Sequence, residues 1–294
     1  MSRWLAIVNP AAGNARATRR LASRLAALAG PALDVVETTR PGDARRIARQ
    51  ATGYDGFAAV GGDGTIAEVL NGMDRQRQTL ALLPAGHGNC LARDLGIAGS
   101  AGAFRAFAGS ATVAIDLIRV WIQFGDGRVE ERLCASTVAV GYVADVVAFG
   151  REQLAWLGRH AYATAALAVR PRRLRLRVGT DAASAVGVRR LTNLVINNTA
   201  HLANFRAFRE ARLDDGALDV MASDFGWPRQ LAHTLAVLAG SRRFGPAAQW
   251  QSPSVVLHCE TPSPLMVDGE LEHGVVQVRA HCERAGVRCR MRPR

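Results

Sequence analysis

The first 120 residues alternate short apolar runs with longer amphipathic segments. The apolar runs have the length of buried β-strands and lie at 4–8, 33–37, 57–60 and 80–83. The segments between them have helical length and spacing and lie at 15–29, 43–51 and 65–73. Alternating strands and helices predict a doubly wound α/β domain with a parallel sheet, in which a ligand binds at the carboxyl ends of the strands.

From about residue 112 the pattern becomes one of short strand-like runs separated by turn residues. These runs lie at 114–124, 128–140, 173–178, 189–197, 218–222, 254–259 and 275–280. Only 153–169 and 227–238 have a helical pattern in this part of the chain. The pattern predicts an α/β domain over 1–120 and a β-rich sandwich over 121–294, with a last strand that could return to the first domain.

Length and composition indicate a folded protein without a membrane span. The chain has 294 residues, of which 49% are hydrophobic and 21% charged, a balance that excludes a disordered or fibrous protein. The longest apolar stretch, 138–149, is interrupted by Asp145 and is too short to cross a bilayer. The apolar run near the start is too short for a signal peptide, so a cytoplasmic protein is expected.

All basic charge comes from arginine. The net charge is +12, and the sequence contains 37 arginine residues and no lysine. A Walker A loop, the strand lysine of protein kinases and a Schiff base are therefore excluded, because each needs a lysine amine. The basic excess favours an anionic partner, either nucleic acid or an anionic membrane face, although biased genomic composition would also produce it.

The five cysteines do not form a disulfide or zinc framework. Their number is odd and they include no Cys-x-x-Cys pair, so reduced thiols are expected. His258 precedes Cys259, and His281 precedes Cys282. Adjacent side chains on a strand point to opposite faces, so each pair could supply at most one metal ligand.

The strongest local motif is Gly61-Gly62-Asp63-Gly64-Thr65, between a predicted strand and a predicted helix. Glycines let the backbone approach a ligand, and amide groups at a helix start form a nest for a phosphate. We expect Gly62 to need a positive φ angle. Asp63 would then face a phosphate-bound Mg²⁺ or an incoming hydroxyl group. The alternative is an ordinary strand-to-helix turn.

Three motifs together resemble the catalytic domain of the diacylglycerol kinase and sphingosine kinase family. They are Asn9-Pro10 with Gly13, the loop 61–65 followed by Asn71-Gly72, and the segment 83–93 with Gly86, Gly88 and Asn89. The likeness continues at 141–145, 213–219 and 267–270, so it covers nearly the whole chain.

The resemblance implies an ATP-dependent lipid kinase that uses Mg²⁺ and holds the nucleotide between its two domains. Asp268 and Asp63 are the candidates for the catalytic base, and Asp145 would hold the polar head of the lipid. The implied nucleotide-binding residues are Asn9, Arg16, Gly61, Gly62, Asp63, Gly64, Thr65, Gly86, His87, Gly88, Asn89 and Glu270, the last of which would help to hold Mg²⁺ or ribose. Asp215 would bind a structural cation, in a segment that also has the chemistry of a β-turn.

Two departures from the family pattern leave the substrate class open. His87 stands where the family usually has Thr or Ser, and Cys90 stands where diacylglycerol kinases usually have Asp. The second change is closer to the sphingosine kinase pattern. The implied substrate is therefore a diacylglycerol-like lipid or a sphingoid or ceramide lipid.

An alternating segment at 173–178 places Arg173, Arg175 and Arg177 on one face of a predicted strand. The patch suits anionic headgroups, and a solvated sheet face is the alternative. We expect a peripheral association with the inner membrane and no nucleic-acid partner. The sequence leaves open whether the chain forms a homodimer. The alternative functions are an NAD kinase-like enzyme and a catalytically inactive relative that binds membranes or nucleic acid.

Overall fold

The computed structural model describes residues 2–13, 15–29, 32–86, 88–97, 99–180, 186–202, 205–208, 210–239 and 248–291. The strands are β1 (Trp4–Val8), β2 (Leu33–Glu37), β3 (Gly56–Gly61), β4 (Thr79–Pro84), β5 (Thr112–Phe124), β6 (Val129–Cys134), β7 (Thr137–Gly141), β8 (Leu174–Gly179), β9 (Val186–Leu191), β10 (Asn193–Asn197), β11 (His201–Leu202), β12 (Phe205–Arg206), β13 (Leu218–Ser223), β14 (Ala248–Ser252), β15 (Ser254–Val267) and β16 (Glu270–Arg290). The helices are α1 (Ala15–Ala29), α2 (Asp43–Gln50), α3 (Asp63–Leu70), α4 (Cys90–Asp94), α5 (Gly99–Ala108), α6 (Tyr142–Gln153), α7 (Ala161–Ala168) and α8 (Trp227–Leu238), with a 3₁₀ helix at Ala155–His160.

The predicted doubly wound domain is confirmed. Its four parallel strands lie in the order β2, β1, β3, β4, so the chain leaves β1 towards one side and returns to the other side at β3. Every residue of β1 and β3 is buried, as expected for a sheet covered by helices on both faces. The order reverses between β1 and β3, and such a switch point opens a crevice at the carboxyl ends of the strands.

The β-rich second part is also confirmed, and it is joined to the first through hydrogen-bonded strands. This β-rich part has a separate apolar core that includes Ile118, Val138, Leu194 and Leu257. Arg288–Cys289 of β16 pair in parallel with β4, so the last strand extends the first sheet. Strand β5 contributes Ile115 to the first core and Ile118 to the second. The boundary after residue 120 stays a prediction.

Several elements differ from the sequence-based expectations. The segment 138–149 contains the end of β7 and most of α6, a helix that the apolar run did not predict. The expected helix at 153–169 is divided by the 3₁₀ helix, within which Gly158 has a φ of 53°. The expected strand at 128–140 is divided between Cys134 and Thr137, where the backbone amides bind a carboxylate instead of a neighbouring strand. Strands β15 and β16 are longer than predicted, and α4 and α5 were not predicted.

The arginine-bearing strand β8 has the predicted alternation. Leu174 and Leu176 are buried, whereas Arg175 and Arg177 are exposed on the other face. Arg175 forms an ion pair with Glu260 of β15, with 2.8 Å between Nε and Oε2. Among the described residues, no helix combines the length and hydropathy needed to cross a bilayer.

Candidate active site

The three glycine-bearing loops meet at the carboxyl ends of β1, β3 and β4. Asn9 Nδ2 donates a hydrogen bond of 3.0 Å to Thr65 Oγ1, which joins the first loop to the second. The amide of Ala85 donates to the carbonyl of Gly61 at 2.8 Å, which joins the second loop to the third. At Gly13, where φ is 61°, a Cβ atom would lie 2.1 Å from the carbonyl oxygen of Ala85. The loops are therefore in direct backbone contact.

Gly62 and Gly86 form a second close contact between the loops. A Cβ atom on Gly86 would lie 2.6 Å from the Cα atom of Gly62, and one on Gly62 would lie 3.2 Å from the Cα atom of Gly86. The expected positive φ of Gly62 is wrong, because its φ is −92° and its backbone is extended. Glycine is required here by the approach of the neighbouring loop and not by backbone conformation.

Asp63 connects the second loop to helix α4. It is the first residue of α3, so this helix begins two residues earlier than expected. Its carboxylate accepts hydrogen bonds from the amides of Asn89, at 2.8 Å, and Cys90, at 3.0 Å. Burial, together with the nearby Asp268 carboxylate, raises the pKa of Asp63 to about 6. Asp63 thus combines a fixed position with the proton affinity of a general base.

Asp268 is held by a dense set of donors. Its Oδ1 atom accepts from the amides of Ser136 and Thr137, from Ser136 Oγ at 2.6 Å and from Cys134 Sγ, while Oδ2 accepts from the amide of Ala135. Burial and the Asp268 carboxylate raise the pKa of the Cys134 thiol. The thiol therefore stays protonated and donates a hydrogen bond to the carboxylate. Asp268 has a φ of 47°, at the turn between β15 and β16. This network fixes a negative charge close to Asp63.

The predicted nucleotide-binding residues divide into two groups. Those that line a common cavity are Asn9, Gly62, Asp63, Gly64, Thr65, Gly86, Gly88 and Glu270, together with Asp268. The lining does not include Arg16, which is exposed on α1, or Gly61 and Asn89. The side chain of Asn89 instead closes its own loop, because Nδ2 donates to the carbonyl of Gly86 at 2.7 Å. His87 lies outside the described residues.

The same cavity continues into the second part of the chain and has a volume of about 1860 Å³. Its walls there come from α6, α7, α8, the β11–β12 hairpin, β13 and β14, and apolar side chains outnumber polar ones such as Arg206, Asp219 and Gln249. The apolar lining residues include Val143, Val146, Val147, Ala163, Ala166, Leu202, Phe205, Val237, Leu238 and Trp250. One space therefore has a polar region beside the glycine loops and a large apolar chamber.

Asp145 and Asp215 lie outside that lining. Asp145 is in the first turn of α6 and forms an ion pair with Arg172, with 2.9 Å between Oδ2 and Nε. Asp215 accepts from the amide of Ala217 at 3.1 Å and from Gln251 Nε2 at 3.3 Å, a turn-like arrangement. Within the described part of the chain, no group of three or more His, Cys, Asp or Glu residues is placed to hold a metal ion. The roles of both aspartates stay predictions.

The sequence reasoning missed two features of the site. Glu68 of α3 lines the cavity, and its carboxylate accepts from the amides of Gly42, at 2.9 Å, and Ala44, at 3.0 Å, at the start of α2. Its place five residues after Asp63 gives no recognisable signal. Helix α6 was also missed, although Val143, Val146 and Val147 have the spacing of one helical face, which could have identified it.

Comparison with known proteins identifies relatives over most of the chain. Residues 3–120 match the model of the diacylglycerol kinase catalytic domain. The chain is 33% identical over 221 residues to a Pseudomonas aeruginosa protein named "Probable lipid kinase YegS-like", covering 72% of this chain and 68% of that protein. It is 40% identical over 103 residues to the "Diacylglycerol kinase" of Bacillus subtilis, covering 33% of this chain and 34% of that one. A solved structure described as a diacylglycerol kinase from Bacillus anthracis has the same fold, with a TM-score of 0.78, 20% identity, and coverage of 99% of this chain and 97% of that one.

Proposed function

The chain belongs to the diacylglycerol kinase family of lipid kinases, and on that premise we propose that it transfers the γ-phosphate of ATP to a hydroxyl group of a membrane lipid. The observation that carries the proposal is the single cavity of about 1860 Å³ that contains both the glycine loops and the apolar chamber. The loops suit a nucleotide phosphate, and the chamber suits hydrocarbon chains.

The phosphates of ATP are proposed to lie at the start of α3. The first helical hydrogen bond there runs from the amide of Ile66 to the carbonyl of Gly62, so the amides of Asp63, Gly64 and Thr65 precede the helical ladder. Such amides and the positive end of the helix dipole favour a phosphate. A Cβ atom on Gly64 would meet no atom within 4 Å, which leaves room for a ligand beside this turn.

The carboxylates of the cavity fit an Mg²⁺ ion that arrives with the nucleotide. Mg²⁺ in such sites usually binds one or two carboxylates together with phosphate oxygens, so a cluster of three protein ligands is not required. Glu270 would hold the ion, since burial raises the pKa of its carboxyl and a cation would offset the cost of ionising it. When bound, the ion neutralises charge on the phosphate oxygens.

Asp63 is proposed as the general base, and Asp268 as a fixed negative charge that keeps the proton affinity of Asp63 high. The two carboxylates differ in their hydrogen bonds. Each carboxylate oxygen of Asp63 accepts one hydrogen bond from a backbone amide, whereas Oδ1 of Asp268 accepts hydrogen bonds from four donors. The Asp268 carboxylate is thus committed to the donors of the segment 134–137, whereas Asp63 has fewer hydrogen-bond partners. Asp63 would remove the proton of the lipid hydroxyl group. The hydroxyl oxygen would bond to the γ-phosphorus, and the bond between that phosphorus and the bridging oxygen would break, which releases ADP.

The lipid is proposed to lie in the apolar chamber with its hydroxyl directed towards Asp63. A diacylglycerol-like lipid and a sphingoid or ceramide lipid both fit this description, since each has a hydroxyl group beside hydrocarbon chains. Asp145 was expected to hold the polar head of the lipid. Its ion pair with Arg172 gives it a partner already, and no contact with the chamber supports that role.

The surface around α7 supports docking on a membrane. This helix has no charged residue, yet of its eight residues only Ala161 and Ala165 are buried. Trp156, in the preceding 3₁₀ helix, is 79% exposed, and Leu235 of α8 is 50% exposed. Exposed apolar surface of this kind suits a lipid interface, where tryptophan is favoured. The arginines of β8 would add attraction to anionic lipids of the inner membrane.

ATP turnover measured with and without mixed lipid micelles tests the proposal. We expect turnover to depend on micelles that contain a lipid with a free hydroxyl group. Turnover that requires NAD instead would identify an NAD kinase, and no turnover with any acceptor would identify an inactive relative.

A further inference from the structure

Helix α4 contacts both the catalytic carboxylate and the wall of the lipid chamber. Its first amide, that of Cys90, donates to Asp63 Oδ1. Its last residue, Asp94, accepts hydrogen bonds from the amide of Ala200 and from Nδ1 of His201. The carboxylate can only accept, so the Nδ1 atom of His201 donates. One short helix thus joins Asp63 to the strand β11.

The β11–β12 hairpin is part of the chamber wall. His201 pairs with Arg206 and Leu202 pairs with Phe205. Leu202, Phe205 and Arg206 all line the cavity. A lipid that contacts this hairpin therefore touches an element that is held directly by Asp94.

A second route leads from the hairpin to Asp268. The carbonyl of His201 accepts from Thr199 Oγ1 at 2.8 Å, and Asn197 Nδ2 donates to Thr199 Oγ1 at 3.1 Å. Asn197 Oδ1 accepts from Thr137 Oγ1, and the amide of Thr137 donates to Asp268 Oδ1 at 3.1 Å. Asn197 and Thr199 are fully buried. The hairpin is consequently linked to Asp63 through Asp94 and helix α4, and to Asp268 through a chain of hydrogen bonds.

We propose that Asp94 and His201 are positioning residues that couple occupation of the lipid chamber to the placement of Asp63. The side chain of Asp94 is 8% exposed and that of His201 is 23% exposed, so the pair is largely shielded from water. Loss of His201 leaves Asp94 Oδ1 without its hydrogen bond while the amide of Ala200 still donates to Oδ2, and loss of Asp94 removes both bonds. Either change weakens the attachment of the hairpin to α4 and leaves a shielded polar group unpaired. Contact between lipid and hairpin then no longer fixes the start of α4 against Asp63.

The inference rests on the proposed lipid kinase function, and the wild-type enzyme tests that function separately. His201→Leu removes the donor, whereas His201→Asn keeps one near the position of Nδ1. We expect His201→Leu and Asp94→Ala to lower kcat for the lipid by about tenfold or more, with the KM for ATP within about twofold of the wild-type value. His201→Asn should restore most of kcat.

The ion pair of Arg75 and Glu283 provides a matched control. It also joins the two parts of the chain, at 2.6 Å and with side chains 20% and 24% exposed, but neither residue lines the cavity. Arg75→Leu should lower the melting temperature without a selective loss of kcat for the lipid.

A double-mutant cycle distinguishes coupling from general destabilisation. Phe205→Ala should lower kcat/KM for the lipid about tenfold in the wild-type background and less than about twofold in the His201→Leu background, because contacts made by an uncoupled hairpin no longer reach Asp63. In the Arg75→Leu background the full effect of Phe205→Ala should remain. An active wild-type enzyme with additive effects in both backgrounds, or a His201→Leu enzyme with unchanged kcat, would overturn the proposal. An inactive wild-type enzyme would instead refute the proposed function.

Discussion

The contact between Gly62 and Gly86 predicts a sharp difference between two glycine-to-alanine substitutions. Gly86→Ala places a methyl group 2.6 Å from the Cα atom of Gly62 and 3.2 Å from Asn89 Oδ1. Both neighbours belong to loops with many hydrogen bonds, so the loops must separate by roughly 1 Å, at a cost of about 1–3 kcal/mol. A displacement of that size beside reacting groups reduces turnover by about 10²-fold.

Gly64→Ala is the matched control. A methyl group at this position meets no atom within 4 Å, and Gly64 is the second residue of α3. Alanine is favoured over glycine inside a helix by up to about 1 kcal/mol, so the stability of this variant should be unchanged or higher. If the phosphates lie against this turn, the methyl group enters their space and the KM for ATP rises.

Thermal unfolding followed by circular dichroism, together with ATP turnover on mixed micelles, measures both effects. For a chain of this size, the melting temperature of Gly86→Ala should fall by roughly 2–10 °C, while that of Gly64→Ala should not fall. A Gly86→Ala variant with wild-type stability and turnover would refute the close contact of the loops. Normal KM for ATP in Gly64→Ala would refute the placement of the phosphates.

Three further predictions concern the carboxylates and the arginine patch. Turnover should rise about tenfold per pH unit up to a pH of about 6 and then level off, because Asp63 acts as a base only when ionised and its pKa is raised to about 6. Asp63→Asn should abolish this rise of turnover with pH and lower kcat by roughly 10²-fold or more. Asp268→Asn should lower both the melting temperature and kcat, since an amide NH₂ would face backbone donors in place of a carboxylate oxygen. A large loss of kcat with unchanged stability and nucleotide affinity would instead indicate that Asp268 is the base. Replacing Arg173, Arg175 and Arg177 together by glutamine should weaken binding to anionic vesicles and flatten its salt dependence, while turnover of a short-chain soluble substrate persists; unchanged vesicle binding would exclude the patch.

The periodic pattern predicted most of the framework of the first domain. Strands β1 and β2 and helix α1 have the expected bounds, as does α8 in the second part, since each is marked by a strong period and by flanking turn residues. The meeting of the three loops follows from the doubly wound order, in which the carboxyl ends of the strands share one edge.

The parts that were missed depend on contacts between distant residues. The apolar run at 138–149 includes residues of β7, which is buried within the sheet, and of α6, which faces the cavity. Because both elements are apolar, hydrophobicity alone does not show that the strand ends and the helix begins after Gly141. The donors around Asp268 come from residues more than 130 positions earlier in the chain. The partner of Asp145 is likewise determined by the packing of α6 against the segment before β8, which no local pattern specifies.

Transfer of labelled phosphate from γ-labelled ATP to lipid, resolved by thin-layer chromatography, tests the central claim most directly. Diacylglycerol, monoacylglycerol, sphingosine and ceramide are offered separately in mixed micelles, to the wild-type enzyme and to Asp63→Asn. The lipid kinase function predicts a labelled phospholipid from at least one of these acceptors with the wild-type enzyme and about 10²-fold less with Asp63→Asn. Labelling of no lipid while the enzyme phosphorylates a soluble acceptor would contradict the lipid kinase function, and equal labelling by both enzymes would contradict the role of Asp63.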